Sequence, residues 1–182
     1  MDQCWFHVTT HTYGAWLYGD PRGFRTRQHR EHVEGDYKNP PPTGMYDEEL
    51  ERSKASMKQG PVILSPKWRA IIGTALKDKL LLLGAQVLRL SVNGQHVHYL
   101  AKMPPAVPRS WTGISKKHAW FEARDRGWTG MLWAKRSKAL LVKDRKHQLN
   151  VFGYIGDHAL EGAWLWTFTD EQRPPVATGG LE

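Results

Sequence analysis

The feature that most constrains the fold is the stretch from 85 to 103, "AQVLRLSVNGQHVHYLAKM". Both halves are rich in β-branched, aromatic and other apolar residues, which favour strands. Between them stands Asn93–Gly94, and Asn-Gly is the strongest two-residue signal for a hairpin turn. The stretch therefore predicts two antiparallel strands joined by a tight turn at Asn93–Gly94.

Two histidines stand one residue apart on the second strand of this hairpin. Because side chains alternate across a strand, His96 and His98 are expected on one face, with Val97 and Tyr99 on the other. Two imidazoles side by side on a rigid element suit a divalent metal ion. They also suit a half-exposed sheet face, and the rest of the chain has to decide between these interpretations.

The flanking pattern places this hairpin inside an α+β fold. A helix is predicted from Ser65, a capping residue followed by proline at the first helical position, to the terminating Gly84. The other predicted elements are a strand at 4–13, a short charged helix within 45–60, a helix at 109–127, a strand at 131–144 and a helix at 145–164. Without the short helix, the order is β-α-β-β-α-β-α. This order predicts a ferredoxin-like split βαβ fold, a four-stranded antiparallel sheet with helices packed on it.

The length of 182 residues suits one domain. We expect that domain to span 1–170, with a long loop insertion at about 14–62 that includes the triple proline Pro40–Pro42. Residues 171–182 are expected to form a flexible C-terminal tail.

Charge points to a polyanionic partner. There are 26 Lys and Arg against 18 Asp and Glu, a formal net charge of +8, and nucleic acid is the commonest intracellular polyanion. No apolar run is long enough to span a membrane, so no membrane association is expected. The N-terminus lacks a signal-peptide pattern and Cys4 is the single cysteine, which favours a reducing cytoplasm.

A second pair of polar residues marks the last predicted helix. Tyr154 and His158 are four residues apart in "YIGDH" and therefore share a helical face. If that face lies against the sheet, His158 completes a three-histidine site begun by His96 and His98. Three imidazoles favour Mn²⁺, Co²⁺, Ni²⁺ or Zn²⁺ over Mg²⁺. A metal-polarised phosphodiester could then be attacked by the Tyr154 hydroxyl.

These two motifs together resemble those of the single-tyrosine HUH endonucleases, specifically the insertion-sequence transposases and their REP-associated relatives. The His-hydrophobe-His motif is His96-Val97-His98, and the tyrosine motif is Tyr154 to His158. The opening "FHVTTHTYGAWLYGDPRGF" is also similar to the first strand and loop of such transposases. The resemblance covers roughly residues 4 to 166, and only the two short motifs are specific.

The resemblance implies a bacterial DNA-cleaving and rejoining transposase. Tyr154 would be the nucleophile, forming a 5′-phosphotyrosine on single-stranded DNA and releasing a 3′-hydroxyl. His96, His98 and His158 would hold a divalent ion, Mg²⁺ or Mn²⁺ in this family. The family also implies a homodimer that recognises hairpin DNA beside the cleavage point.

Departures from the family pattern leave alternatives open. The usual third ligand is an amide or carboxylate, whereas this chain has His158. Gly153 and Gly156 flank the tyrosine, and each glycine weakens a helix by about 1 kcal/mol. They indicate either a helix that must move or the decay of a domesticated hairpin-binding protein without cleavage activity. A third alternative is a metal-binding ferredoxin-like domain unrelated to DNA.

Cations and aromatic residues offer candidate DNA contacts, because single-strand binders join phosphate-pairing cations to stacking surfaces. They come from the N-terminal loop, the second helix and the last predicted strand: Arg22, Arg25, Arg27, Lys116, Lys117, Lys135, Arg136 and Lys138. The group at 135–138 is the strongest candidate because it lies near the proposed active site in sequence.

Overall fold

The computed structural model describes residues 2–22, 24 and 42–169. Its elements are β1 (Cys4–Thr12), α1 (Asp47–Ala55), α2 (Pro66–Leu82), β2 (Gln86–Val92), β3 (His96–Met103), α3 (Pro108–Arg124), β4 (Trp133–Leu141), α4 (Arg145–Asp157), a 3₁₀ turn (His158–Glu161) and β5 (Trp164–Thr167). The fold is α+β, with one antiparallel sheet in the order β4-β1-β3-β2-β5. The first four positions follow the ferredoxin-like plan that the sequence predicts.

The two faces of the sheet have different partners. Helices α2 and α3 cover one face, where Val97 and Tyr99 are fully buried in the main core. The other face carries α4, whose Val151 and Ile155 pack on Leu100 in a smaller cluster. Since Leu100 is two residues from His98, helix α4 lies on the face that displays the histidines.

The hairpin is confirmed, but its turn is one residue later than predicted. Val92 pairs with Val97, and the backbone N–H of Asn93 donates to the His96 carbonyl at 2.8 Å, so Gly94 and Gln95 form the loop. Both loop carbonyls accept hydrogen bonds from elsewhere: Gly94 from the backbone of Leu64 at 2.7 Å and Gln95 from that of Thr12 at 2.9 Å. Tertiary contacts therefore hold the turn at Gly94–Gln95, whereas the Asn-Gly signal places it at Asn93–Gly94.

Two predictions are wrong near the C-terminal end of the fold: the helix at 145–164 is shorter than predicted, and the sheet of the described residues has five strands rather than four. Helix α4 stops at Asp157, and after the 3₁₀ turn Gly162 adopts a φ of 75°, which favours glycine. The chain then forms a fifth strand, β5, at the edge beside β2. The indole of Trp164 packs against Gly73 in α2, where a Cβ would overlap the ring.

The predicted insertion is described only in part. It contains α1, the short charged helix expected within 45–60, which buries none of its residues. Pro40, Pro41 and the expected tail at 171–182 lie outside the described residues. Among the helices that the structure describes, none is long and apolar enough to cross a membrane.

Candidate metal centre and tyrosine

Strand β3 and the end of α4 bring three histidines together. His96, His98 and His158 each offer a ring nitrogen, and these nitrogens all lie within 4.8 Å of one another. With metal–nitrogen bonds of about 2.1 Å, the ligand nitrogens of one ion stand roughly 3–4 Å apart. Ring shifts of about 1 Å would therefore bring this set to the spacing that an ion requires.

Tyr154 borders the same cluster. Its ring centroid lies 5.3 Å from that of His98 and 4.9 Å from that of His158. Val151 and Ile155 fix the rotation of α4 by packing on the sheet, and this rotation leaves Tyr154 at the rim of the cluster. The tyrosine is 47% exposed, so about half of its surface is open to solvent.

Two imidazoles of the cluster, those of His96 and His98, have lowered pKa values. Burial lowers the pKa of His98 far below its usual value, and the neighbouring His96 lowers it further. Burial and His158 together lower the pKa of His96. Neutral imidazole is the form that binds a metal ion, so near neutral pH His96 and His98 are in the form that a metal would require.

Strand β1 contributes partners for the histidines of β3 that no sequence motif indicates. The Nδ1 atom of His98 lies 3.1 Å from His7 Nε2 and 3.1 Å from Thr9 Oγ1, both within hydrogen-bonding distance. His11 stands opposite His96 in the antiparallel register. The period-two run His7-x-Thr9-x-His11 was the available signal, but only strand pairing reveals which histidines it faces.

His158 supplies an observation that tests whether a metal fits. Its Nδ1 lies 3.3 Å from a Glu161 carboxylate oxygen, while its Nε2 is buried and has no hydrogen-bond partner among the described residues. A buried imidazole nitrogen without a partner is costly unless something satisfies it. A divalent ion held by His96 and His98 would do so, and the three-imidazole set therefore fits a borderline divalent metal.

The candidate DNA contacts are divided between the two faces. Lys138 pairs with Thr9, which pairs with His98, so all three lie in one row on the histidine face. At about 4.8 Å per strand, the Lys138 backbone is about 10 Å from that of His98. Lys135 and Arg136 are exposed on the same edge strand.

The other candidate DNA-binding cations that the structure describes lie on α3 or in the N-terminal loop, outside the sheet. Lys117 is exposed on α3, across the sheet, and Lys116 is buried with its amine donating to the Ala134 carbonyl at 2.7 Å. Arg22 pairs with Asp20 at 2.6 Å and stacks on Trp16. Arg25 and Arg27 lie outside the described residues.

Comparisons with known proteins find similarity among solved structures only. No protein-family model matches the sequence, and no curated protein matches it either. A solved structure of a REP-associated tyrosine transposase bound to a REP hairpin is similar, with a TM-score of 0.48 and 9% sequence identity over 89% of this chain and 70% of that chain. The likeness concerns the arrangement of sheet and helices and carries no information about the chemistry of this site.

Proposed function

We propose that the protein is a metal-dependent single-stranded DNA endonuclease and strand transferase of the single-tyrosine HUH type, with Tyr154 as its nucleophile. The observation that carries the proposal is the contact of an exposed tyrosine ring with two histidines of a three-imidazole cluster. Metal ligands beside an accessible hydroxyl nucleophile suit transfer to phosphorus. The net charge of +8 suits a polyanionic substrate.

The chain's own groups divide the work of the reaction. The Tyr154 oxygen forms a bond to phosphorus as the bond to the 3′-oxygen breaks, giving a 5′-phosphotyrosine and a 3′-hydroxyl. The phenol proton leaves and one proton ends on the 3′-oxygen, so the step is balanced without any co-reactant. Attack by a 3′-hydroxyl on the phosphotyrosine reverses the bond exchange and rejoins a strand.

The histidines hold the ion in this proposal. His96, His98 and His158 would bind it, and when bound it would neutralise charge on the attacked phosphate. An all-imidazole set favours Mn²⁺ or a heavier borderline ion, although Mg²⁺ is usual in the resembled family. The proposed substrate is single-stranded DNA bearing a hairpin, and the homodimer stays a prediction from the resemblance.

A trapping experiment tests the reaction. The protein is mixed with Mn²⁺ and a pool of single-stranded, hairpin-bearing oligonucleotides, and adducts that survive denaturation are separated by size. We expect an adduct that disappears with EDTA and in Tyr154→Phe. Tyr46→Phe is a matched control that should keep the adduct, because Tyr46 contacts Phe24 rather than the histidines.

The other interpretations predict different results. Hairpin binding without an adduct in any metal would contradict the strand-transferase proposal and favour a non-cutting binder. Metal binding without DNA affinity would favour the metal-binding domain unrelated to DNA.

Lys138 gives a separate test of where the DNA lies. Lys138→Gln should weaken single-strand binding and reduce the slope of log affinity against log salt by about one. Lys117→Gln, on the opposite helix layer, should leave that slope unchanged. Equal effects of the two substitutions would place the DNA elsewhere.

A further inference from the structure

His158 is the least constrained of the three proposed ligands. His96 and His98 are fixed by the pairing of β3 with strands on both sides. His158 instead follows the last residue of α4 and begins a four-residue 3₁₀ turn. Its ring orientation therefore depends on side-chain contacts rather than on a strand ladder.

Those contacts form a short chain back to the hairpin. The His158 Nδ1 atom lies 3.3 Å from Glu161 Oε2, and the same oxygen accepts a hydrogen bond from Asn93 Nδ2 at 2.6 Å. The Oδ1 atom of Asn93 accepts from the backbone N–H of Gly94 at 2.7 Å. The turn between β2 and β3 thus holds the carboxylate that touches His158.

The chemistry of a carboxylate fixes the histidine tautomer. An ionised carboxylate can only accept hydrogen bonds, so the nitrogen beside it carries the proton. In neutral His158 the proton is therefore on Nδ1, and the lone pair is on Nε2. Nε2 is also the buried nitrogen that has no partner among the described residues.

We propose that Glu161, itself held by Asn93, is a positioning residue that presents the Nε2 lone pair of His158 to the metal. A carboxylate on the far nitrogen of a metal-binding imidazole fixes the tautomer, orients the ring and increases the basicity of the ligand. This inference rests on the proposed metal site and adds two residues to it. The turn asparagine is therefore part of the site as well as of the hairpin.

If the contact between Glu161 and His158 served folding alone, its loss would lower the stability of the metal-free protein. The Glu161 side chain is 60% exposed, and polar contacts this exposed to water contribute little to folding. Loss of the carboxylate should therefore leave the thermal midpoint of the metal-free protein nearly unchanged. Metal affinity, by contrast, should fall.

The test measures Mn²⁺ binding to the full chain by calorimetry, and the Co²⁺ absorption spectrum as a second readout. We expect Glu161→Ala to bind Mn²⁺ roughly 10–100-fold more weakly and to change the Co²⁺ bands. Glu161→Gln, which keeps an accepting oxygen, should recover part of the affinity. Glu122→Ala is the matched control, because it removes a helical surface ion pair with Arg126 on the opposite helix layer.

A double substitution tests the role of Asn93. Asn93→Ala should weaken Mn²⁺ binding alone but add nothing in the Glu161→Ala background, because both act through one contact. Additive losses would overturn the assignment of Asn93. If the wild-type protein binds Mn²⁺ and Glu161→Ala binds it equally tightly, the inference is overturned while the proposed function stands. If the wild-type protein binds no metal, both are overturned.

Discussion

Mild acid should destabilise the metal-free protein through the histidines on one face of its sheet. Burial lowers the pKa of His7 and of His11 to about 4, with smaller contributions from nearby charges. The pKa values of His96 and His98 are also lowered, again chiefly by burial. The perturbation is a change from about pH 7.5 to about pH 5.5 without metal, across the ordinary pKa of histidine near 6.5.

The sign follows from where the protons bind. Below about pH 6.5 the unfolded chain protonates these imidazoles while the folded chain does not, so acid favours unfolding. The stabilisation is present above about pH 6.5 and is lost as the pH falls towards the folded values, which for His7 and His11 means a window down to about 4.

The magnitude comes from one proton per histidine. At about pH 5.5 the protonated form of an unfolded imidazole outnumbers the neutral form by about ten to one. Each histidine that stays neutral in the folded state therefore lowers the free energy of unfolding by about 1.4 kcal/mol relative to about pH 7.5. His98 is buried, whereas His7, His11 and His96 are partly exposed and screened by water. After that reduction we expect a loss of about 2–4 kcal/mol, a large fraction of a typical domain's stability.

The assay is urea unfolding followed by tryptophan fluorescence at the two pH values. The free energy of unfolding of His7→Gln should fall less between the two pH values than that of wild type. The difference should be at most about 1.4 kcal/mol, the contribution of one histidine. The lowered pKa of Asp20 does not interfere, because carboxylate protonation lies below this window. Equal unfolding free energies at the two pH values would refute the reasoning that the folded histidines stay neutral.

Three glycine substitutions, measured by the same urea assay, test how the helices are packed. Gly153→Ala should raise the free energy of unfolding by up to about 1 kcal/mol, because a Cβ there meets open space; a loss would indicate a contact that the structure does not show. Gly156→Ala should instead lose stability, since the Cβ would displace the Arg89 guanidinium from its hydrogen bonds to Phe152 and Thr167, and a gain equal to that of Gly153→Ala would contradict this packing. Gly73→Ala should cost about 1–3 kcal/mol by overpacking the indole of Trp164, and an unchanged midpoint would mean that β5 packs differently.

The glycines beside Tyr154 illustrate a question that local sequence left open. In the sequence alone, Gly153 and Gly156 indicate either a mobile helix or decay. The structure gives Gly156 a steric reason: the Arg89 guanidinium crosses it and donates to the Phe152 carbonyl at 2.8 Å. It gives no corresponding reason for Gly153. The contact with Arg89 joins residues far apart in sequence, so no local pattern could have predicted it.

Local patterns determined most of the elements and their order, as far as α4. Period-two alternation identified β3 and placed His96 and His98 on one face, and helical periodicity grouped Tyr154 with His158. Proline at the first helical position marked the start of α2. Each of these signals acts within a few residues, which is why the sequence alone was sufficient.

Only the tertiary structure decided the register, the fifth strand and the shell around the proposed ligands. The hairpin loop shifted because Leu64 and Thr12 bind its carbonyls, and β5 formed because β2 offered an edge to pair with. The approach of His7 to His98 spans 91 residues, and the approach of Asn93 to Glu161 spans 68. Periodicity specifies which face a side chain occupies, but only packing and strand pairing specify what it meets there.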